Sequence, residues 1–149
     1  MSLSQASSEM SREQVDDFLS SQGHGFLSLA AGGRAYGIPI VYGYDPEPPL
    51  FTTELLFEEP SKKRQFLAET EEATLCVYHW DAYDEWRSVI ATGALERVED
   101  REEIADLMAL LSEHHADIVP WSYRSPLSDV DDRGWYVLRP DSLTGYSAE

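Results

Sequence analysis

The sequence predicts a mainly β, α+β domain: an antiparallel barrel with peripheral helices. Strand-like runs recur along the chain, tight turn residues link several of them as hairpins, and a few stretches with helical spacing fall between them.

Residues 1–10 are polar and Ser-rich and are expected to form a flexible N-terminus, leaving 11–149 as a single domain without repeat or linker. Ser11-Arg12-Glu13-Gln14 is a capping-box pattern, Val15, Phe18 and Leu19 are the apolar stripe of the helix it opens, and Gly23 and Gly25 stop it. Phe26 to Ala30 reads as a strand and Gly32-Gly33 as a hairpin turn. The return strand runs from Arg34 to Tyr44, and Pro39 within it requires an edge or a bulge. Asp45-Pro46-Glu47-Pro48-Pro49 is a rigid loop before a third short strand, Leu50-Phe51-Thr52-Thr53. Pro60-Ser61 opens a helix to about Glu69 that buries Phe66 and Leu67. Ala73 to Trp80 and Ser88 to Val98 are strands, and Asp100 caps a helix carrying Ile104, Leu107, Met108 and Leu111. Residues 114–133 look irregular, and Gly134 to Arg139 makes a last strand.

The chain has 149 residues, 42% of them hydrophobic, enough for a real core and too many for an acidic disordered chain. A net charge of −17 argues against nucleic acid or an anionic membrane as partner. The single cysteine excludes a disulfide framework and a Cys-based zinc site. No apolar run approaches the roughly 20 residues that span a bilayer, and the N-terminus lacks a signal-peptide pattern, so a cytoplasmic protein is expected. Lysine occurs only at Lys62 and Lys63. High acidity with almost no lysine suits a salt-filled cytoplasm, and a halophilic, archaeal host is the expectation; the plainer reading is an ordinary acidic protein kept soluble by its charge.

Both lysines lie in Ser61-Lys62-Lys63-Arg64, at a helix start where the macrodipole disfavours cations. Two readings stand. A bound phosphate, held by backbone N–H groups and ammoniums, reconciles the placement; a solvated cluster paired with Glu58, Glu59, Glu69 or Glu71 also does. The hydroxyls of Thr52 and Thr53 could donate to the same ligand, against plain β-propensity. Arg87 and Ser88 could hydrogen-bond a ligand and Trp86 could stack on one, against an ordinary strand start. The four histidines form no recognised metal spacing, so no metal is expected. Cys76 reads as a buried, inert thiol. No catalytic acid, base or nucleophile stands out.

In order, Gly23-His24-Gly25-Phe26-Leu27-Ser28-Leu29-Ala30, Tyr36 to Asp45, Leu50-Phe51-Thr52-Thr53, Ser61-Lys62-Lys63, Trp86 to Gly93 and Leu143-Thr144-Gly145 resemble the pyridoxamine 5′-phosphate oxidase-like family of FMN-binding split barrels, across about Val15 to Gly145. The short branch with nitroimidazole-reductase-like proteins is the most similar. The resemblance implies a six-stranded antiparallel split β-barrel and a homodimer with two FMN sites at its interface. It places Ser61, Lys62 and Lys63 at the FMN phosphate, and Thr52 and Thr53 along the phosphate and ribityl chain. The backbone of Ile38, Pro39, Ile40 and Val41 borders the isoalloxazine, with Ser88, and Arg87 beside it, on the next strand. Tyr36, Trp86 and Trp121 would wall a substrate pocket. The family's flavin-bordering Arg is matched here by Gly37, with Arg34 displaced upstream, and its C-terminal Arg and Trp substrate segment has no counterpart in Gly134 to Pro140. The implied activity is an FMN-dependent oxidoreductase acting on a small molecule. The alternatives are a non-catalytic flavin, haem or deazaflavin binder and a deazaflavin-dependent reductase.

Overall fold

The computed structural model describes residues 7–56, 62–115 and 133–148. Its elements, in order, are β1 (Ser8–Glu9), α1 (Arg12–Gln22), β2 (His24–Ala31), β3 (Arg34–Val41), β4 (Gly43–Pro46), β5 (Pro49–Leu56), α2 (Lys62–Glu69), β6 (Glu72–Ala82), β7 (Glu85–Val98), α3 (Arg101–His114) and β8 (Arg133–Ala148). Six long strands carry the sheet, and the short β1 and β4 extend it. Neighbours run β3-β2-β6-β7-β8-β5-β4, all antiparallel, with β1 added on β8.

The two ends of that order are one run of chain. The strand read from Arg34 to Tyr44 is bent at Tyr42: β3 edges β2, and β4 edges β5. This bend closes the sheet into a barrel. It is held by Tyr42, whose side chain is fully buried and whose hydroxyl donates to Leu19 O (2.8 Å) and accepts from Gly23 N (3.3 Å) at the end of α1. Tyr42 N donates to Gly23 O at 2.9 Å. Gly23 caps α1 with φ 73°, a left-handed conformation suited to glycine. From α3, His115 Nε2–H points at the carbonyls of Gly23 (2.7 Å) and Tyr42 (3.2 Å). Pro39 lies in β3, a sheet edge, where its missing N–H removes no internal ladder bond.

Val15, Phe18 and Leu19 of α1 plug the core that Leu27, Leu29, Ile38, Leu75, Val77 and Leu138 build inside the barrel. A second cluster forms outside it, where Leu107 and Leu111 of α3 cover Val98, Trp135 and Val137. The start of β8 is therefore buried on both faces, and its sequence runs Trp135-Tyr136-Val137-Leu138 with no alternation. Gly43 lets β4 approach α3: a Cβ there would lie 2.9–3.0 Å from the backbone of Leu110 and Leu111.

Several boundaries move. The ordered chain starts before residue 11: Ser8 and Glu9 pair with Ser147 and Tyr146, Met10 N donates to Gly145 O at 2.7 Å, and the Met10 side chain is buried. Apolar burial of that one side chain overrides the polar composition around it. Gly25 belongs to β2, where a Cβ would strike the Cys76 carbonyl, and Gly23 alone ends α1. The expected loop at 45–49 is a tight hairpin between β4 and β5. The last strand reaches Ala148 because β7 supplies a partner for its outer half.

Candidate functional site

Among the described residues, β3 has no strand partner opposite β2, and β5 beyond Thr52 pairs with β8 alone. A slot is therefore left between the edge of β3 and the end of β5. At one end Thr53 Oγ1 bridges it, donating to Val41 O at 2.8 Å. At the other, the start of α2 reaches both strands. Lys63 Nζ donates to Leu56 O at 3.0 Å, at the end of β5. Lys62 Nζ lies 5.6 Å from the centroid of the Tyr36 ring on β3. The fold thus brings both lysines of the chain to the gap between Tyr36 of β3 and Leu56 of β5.

The predicted site residues divide. Lys62, Lys63, Thr53, Pro39 and Val41 border the slot. Ile38 and Ile40 point inward; Ile38 is buried, and together with Thr52 they offer a ligand backbone only. The hydroxyl hydrogens of both threonines are already donated, that of Thr52 to Tyr136 O at 3.1 Å. Both threonines are buried, Thr52 at 1% and Thr53 at 5% exposure: Thr52 shares the α3 side of the sheet with its partner Val137, and Thr53 the barrel side with its partner Tyr136, so β5 offers a ligand mainly its backbone here. Ser61 and Trp121 lie outside the described residues, as do Glu58 and Glu59.

Arg87 and Ser88 separate because neighbours on a strand face opposite ways. The Arg87 guanidinium crosses to α1 and lies 5.1 Å from the Phe18 ring centroid. Ser88 faces outward, between Tyr78 and Tyr146. The site expectation therefore keeps Ser88 with the outer face and moves Arg87 to the helix side of the sheet.

That outer face has an unusual composition. Paired residues share a face, so the registers give its rows. One row is Pro39, Phe26, Cys76, Ile90 and Thr144; the next is Gly37, Ser28, Thr74, Thr92 and Ser142; Trp80, Trp86 and Ala148 form another. None of these residues is charged, in a chain with 28 acidic and 11 basic side chains. Phe26 is 52% exposed, Ile90 48% and Tyr78 51% on the single chain. Sequence reading missed this face, although Phe26-Leu27-Ser28-Leu29 and Val89-Ile90-Ala91 place apolar residues at both parities, the mark of strands covered on two sides.

Burial raises one thiol and three tyrosines toward their neutral forms, while the hydrogen bond to Asp16 raises Arg12 toward its charged form. Partial burial raises the Cys76 thiol; the residue lies part-exposed in the outer-face row, where the sequence predicts a buried thiol. Burial raises the Tyr136 hydroxyl, against the nearby charges of Arg97 and Arg64. Burial raises Tyr42, against its bond to Gly23, and raises Tyr44, which also donates to Asp16 Oδ1 at 2.6 Å. Among the described residues no group of His, Cys, Asp and Glu is placed to hold a metal, and no helix is long and apolar enough to cross a membrane.

A family model described as pyridoxamine 5′-phosphate oxidase matches residues 11–147. No curated protein matches the chain. Among solved structures, a candidate 5-nitroimidazole antibiotic resistance protein from Bacteroides thetaiotaomicron superposes with TM-score 0.74 at 17% identity, covering 94% of this chain and 86% of that one. An FAD-binding protein from Mesorhizobium loti gives 0.72 at 18%, covering 96% and 99%. A haem storage protein from Vibrio cholerae gives 0.69 at 12%, covering 91% and 94%. At these identities the likeness establishes the shared fold.

Proposed function

The chain belongs to the pyridoxamine 5′-phosphate oxidase family, and from that premise we propose that it is a flavin-binding homodimer that holds FMN in the slot between β3 and β5. The observation that carries this reading is the convergence of Lys62 and Lys63 on that opening, beside the backbone edge of β3. The residues fit the group. The Lys62 ammonium suits a phosphate dianion, with Lys63 bracing the helix start beside it, the β5 backbone at Thr53 walls the ribityl chain, and the uncharged outer face beyond Pro39 suits a ring system. The FAD-binding similar structure supports a flavin generally; FMN is the form we propose, because the phosphate contacts lie at the slot's own mouth.

Bound flavin would supply the hydride or electron chemistry. The chain's share is to bind, orient and shield. Phe26, Ile90 and Tyr78 are the surface on which a second copy closes, since an uncharged, half-exposed apolar face of this size is costly in water. Ser88 on that face can donate or accept at the ring edge. The reaction class proposed is oxidation or reduction of a small molecule in a halophilic cytoplasm, by analogy with the nitroimidazole-reductase-like branch.

A second reading has its own support. The outer-face rows hold no carboxylate, lysine or arginine to move a proton or bind a charged substrate, which favours a non-catalytic binder of flavin, deazaflavin or haem. The haem storage protein of similar fold belongs to this alternative.

The deciding experiment is the visible spectrum of the protein in concentrated salt, after added FMN is removed by gel filtration. Co-eluting flavin bands are expected, bleached by a reduced pyridine nucleotide. Bands that no donor bleaches would favour the binder. A colourless protein that leaves FMN fluorescence unquenched would remove the flavin reading.

A further inference from the structure

We infer that Tyr36 is a positioning residue: its ring holds the Lys62 ammonium ready for the ligand's anionic group, while Lys63 serves as a strut. This rests on the flavin reading and goes beyond it by dividing the two lysines.

Lys62 and Phe66 are four residues apart on α2 and share one face of the helix. The Tyr36 ring, rising from β3, contacts both. It stacks on buried Phe66 with centroids 5.3 Å apart and an interplanar angle of 22°. Lys62 Nζ lies 5.6 Å from the same ring. Phe66 fixes the ring, and the ring's negative face attracts the ammonium. Contact with an aromatic face takes up no N–H, so all three ammonium hydrogens stay available to an anion. A lysine side chain has a large rotamer entropy, and restraint before the ligand arrives lowers the cost of ordering it on binding.

Lys63 is placed differently. It is half-buried, and its ammonium donates to the Leu56 carbonyl, tying the start of α2 to the end of β5. One of its hydrogens is already engaged, and removing the side chain loosens the slot itself.

The test compares FMN with riboflavin, which differs by the phosphate alone. Dissociation constants are measured by fluorescence quenching for the wild type and for Tyr36→Phe, Tyr36→Leu, Lys62→Gln and Lys63→Gln. The wild type is expected to prefer FMN, and Tyr36→Phe to keep that preference. Tyr36→Leu should reduce it about two- to fivefold, with riboflavin binding unchanged. Lys62→Gln should reduce it further, and Tyr36→Leu added to Lys62→Gln should change it no more. Lys63→Gln should lower the melting temperature and weaken both flavins alike.

A Tyr36→Leu protein that keeps the full preference, or loses both flavins equally, overturns the proposal alone. So does a preference that collapses in Lys63→Gln and survives in Lys62→Gln, a comparison that stands even if Tyr36→Leu fails to fold. A wild type that binds neither flavin overturns the cofactor reading, and this proposal with it.

Discussion

The Thr53 hydroxyl donates to the Val41 carbonyl across 2.8 Å, joining the middle of β5 to the end of β3 where the barrel splits. It marks the boundary between closed sheet and open slot. On its far side Gly43 pairs with Thr52 as an ordinary ladder. Thr53→Val keeps the volume and removes the donor, leaving the Val41 carbonyl without this partner. Its expected cost is about 1 kcal/mol, read as a lower urea midpoint with an unchanged slope. Flavin affinity should fall as the slot loses its closed end. Unchanged stability and affinity would show that the bond holds nothing.

Closure of the barrel depends on backbone proximity at Gly43. Gly43→Ala pushes a methyl to within about 3 Å of the Leu110 and Leu111 backbone, where no flexible side-chain end can yield. A loss of about 1–3 kcal/mol is expected. A variant as stable as the parent would mean that α3 shifts freely on β4.

Alkaline stability follows from the two buried tyrosines. Burial raises both Tyr42 and Tyr44 above the ordinary value of 10.0. The unfolded chain therefore loses these protons first as the pH rises. The contribution is fully present below about pH 10 and is lost as pH climbs through the raised values. Urea midpoints measured from pH 8 to 11 should decline above about pH 10. Tyr42→Phe should be less stable at neutral pH by about 1–2 kcal/mol, because the Leu19 carbonyl loses its donor. Its alkaline decline should be shallower. An identical decline in the variant would show that other groups govern that limb.

The uncharged outer face predicts its own failure mode. Ile90→Glu puts a carboxylate into the row that runs from Pro39 to Thr144. The single chain accommodates it, since Ile90 is 48% exposed. Light scattering should then report a folded monomer where the parent is a dimer, with flavin affinity greatly reduced. A variant that stays dimeric would place the subunit contact elsewhere.

A net charge of −17 on 149 residues sets the expected salt response. Mutual repulsion of the carboxylates is screened within about 3 Å at 1 M salt and reaches about 30 Å at 0.01 M. The melting temperature should rise steeply with sodium chloride, and dilution to low salt should unfold the chain. Full stability in dilute buffer would leave an ordinary acidic protein.

The sequence by itself determined the local elements. The Ser11 and Gln14 capping box, the left-handed Gly32-Gly33 turn, the Asp100 cap and the stripe of α3 all form where short-range chemistry puts them, because each depends on residues within one or two turns. The lysine pair was legible for the same reason: a charge misplaced against a helix dipole is a local anomaly. Tertiary structure decided what depends on distant partners. The run from Arg34 to Tyr44 could not show its bend, since the groups that hold Tyr42 come from Leu19, Gly23 and His115. Nor could Thr52 and Thr53 reveal that one is sealed on the α3 side of the sheet and the other ties β5 to β3 from the barrel side. Arg87 and Ser88 are adjacent in sequence and opposite in space, and strand pairing alone assigned each its face. The charge-free outer surface is scattered over five strands and becomes a single feature only when their registers align it.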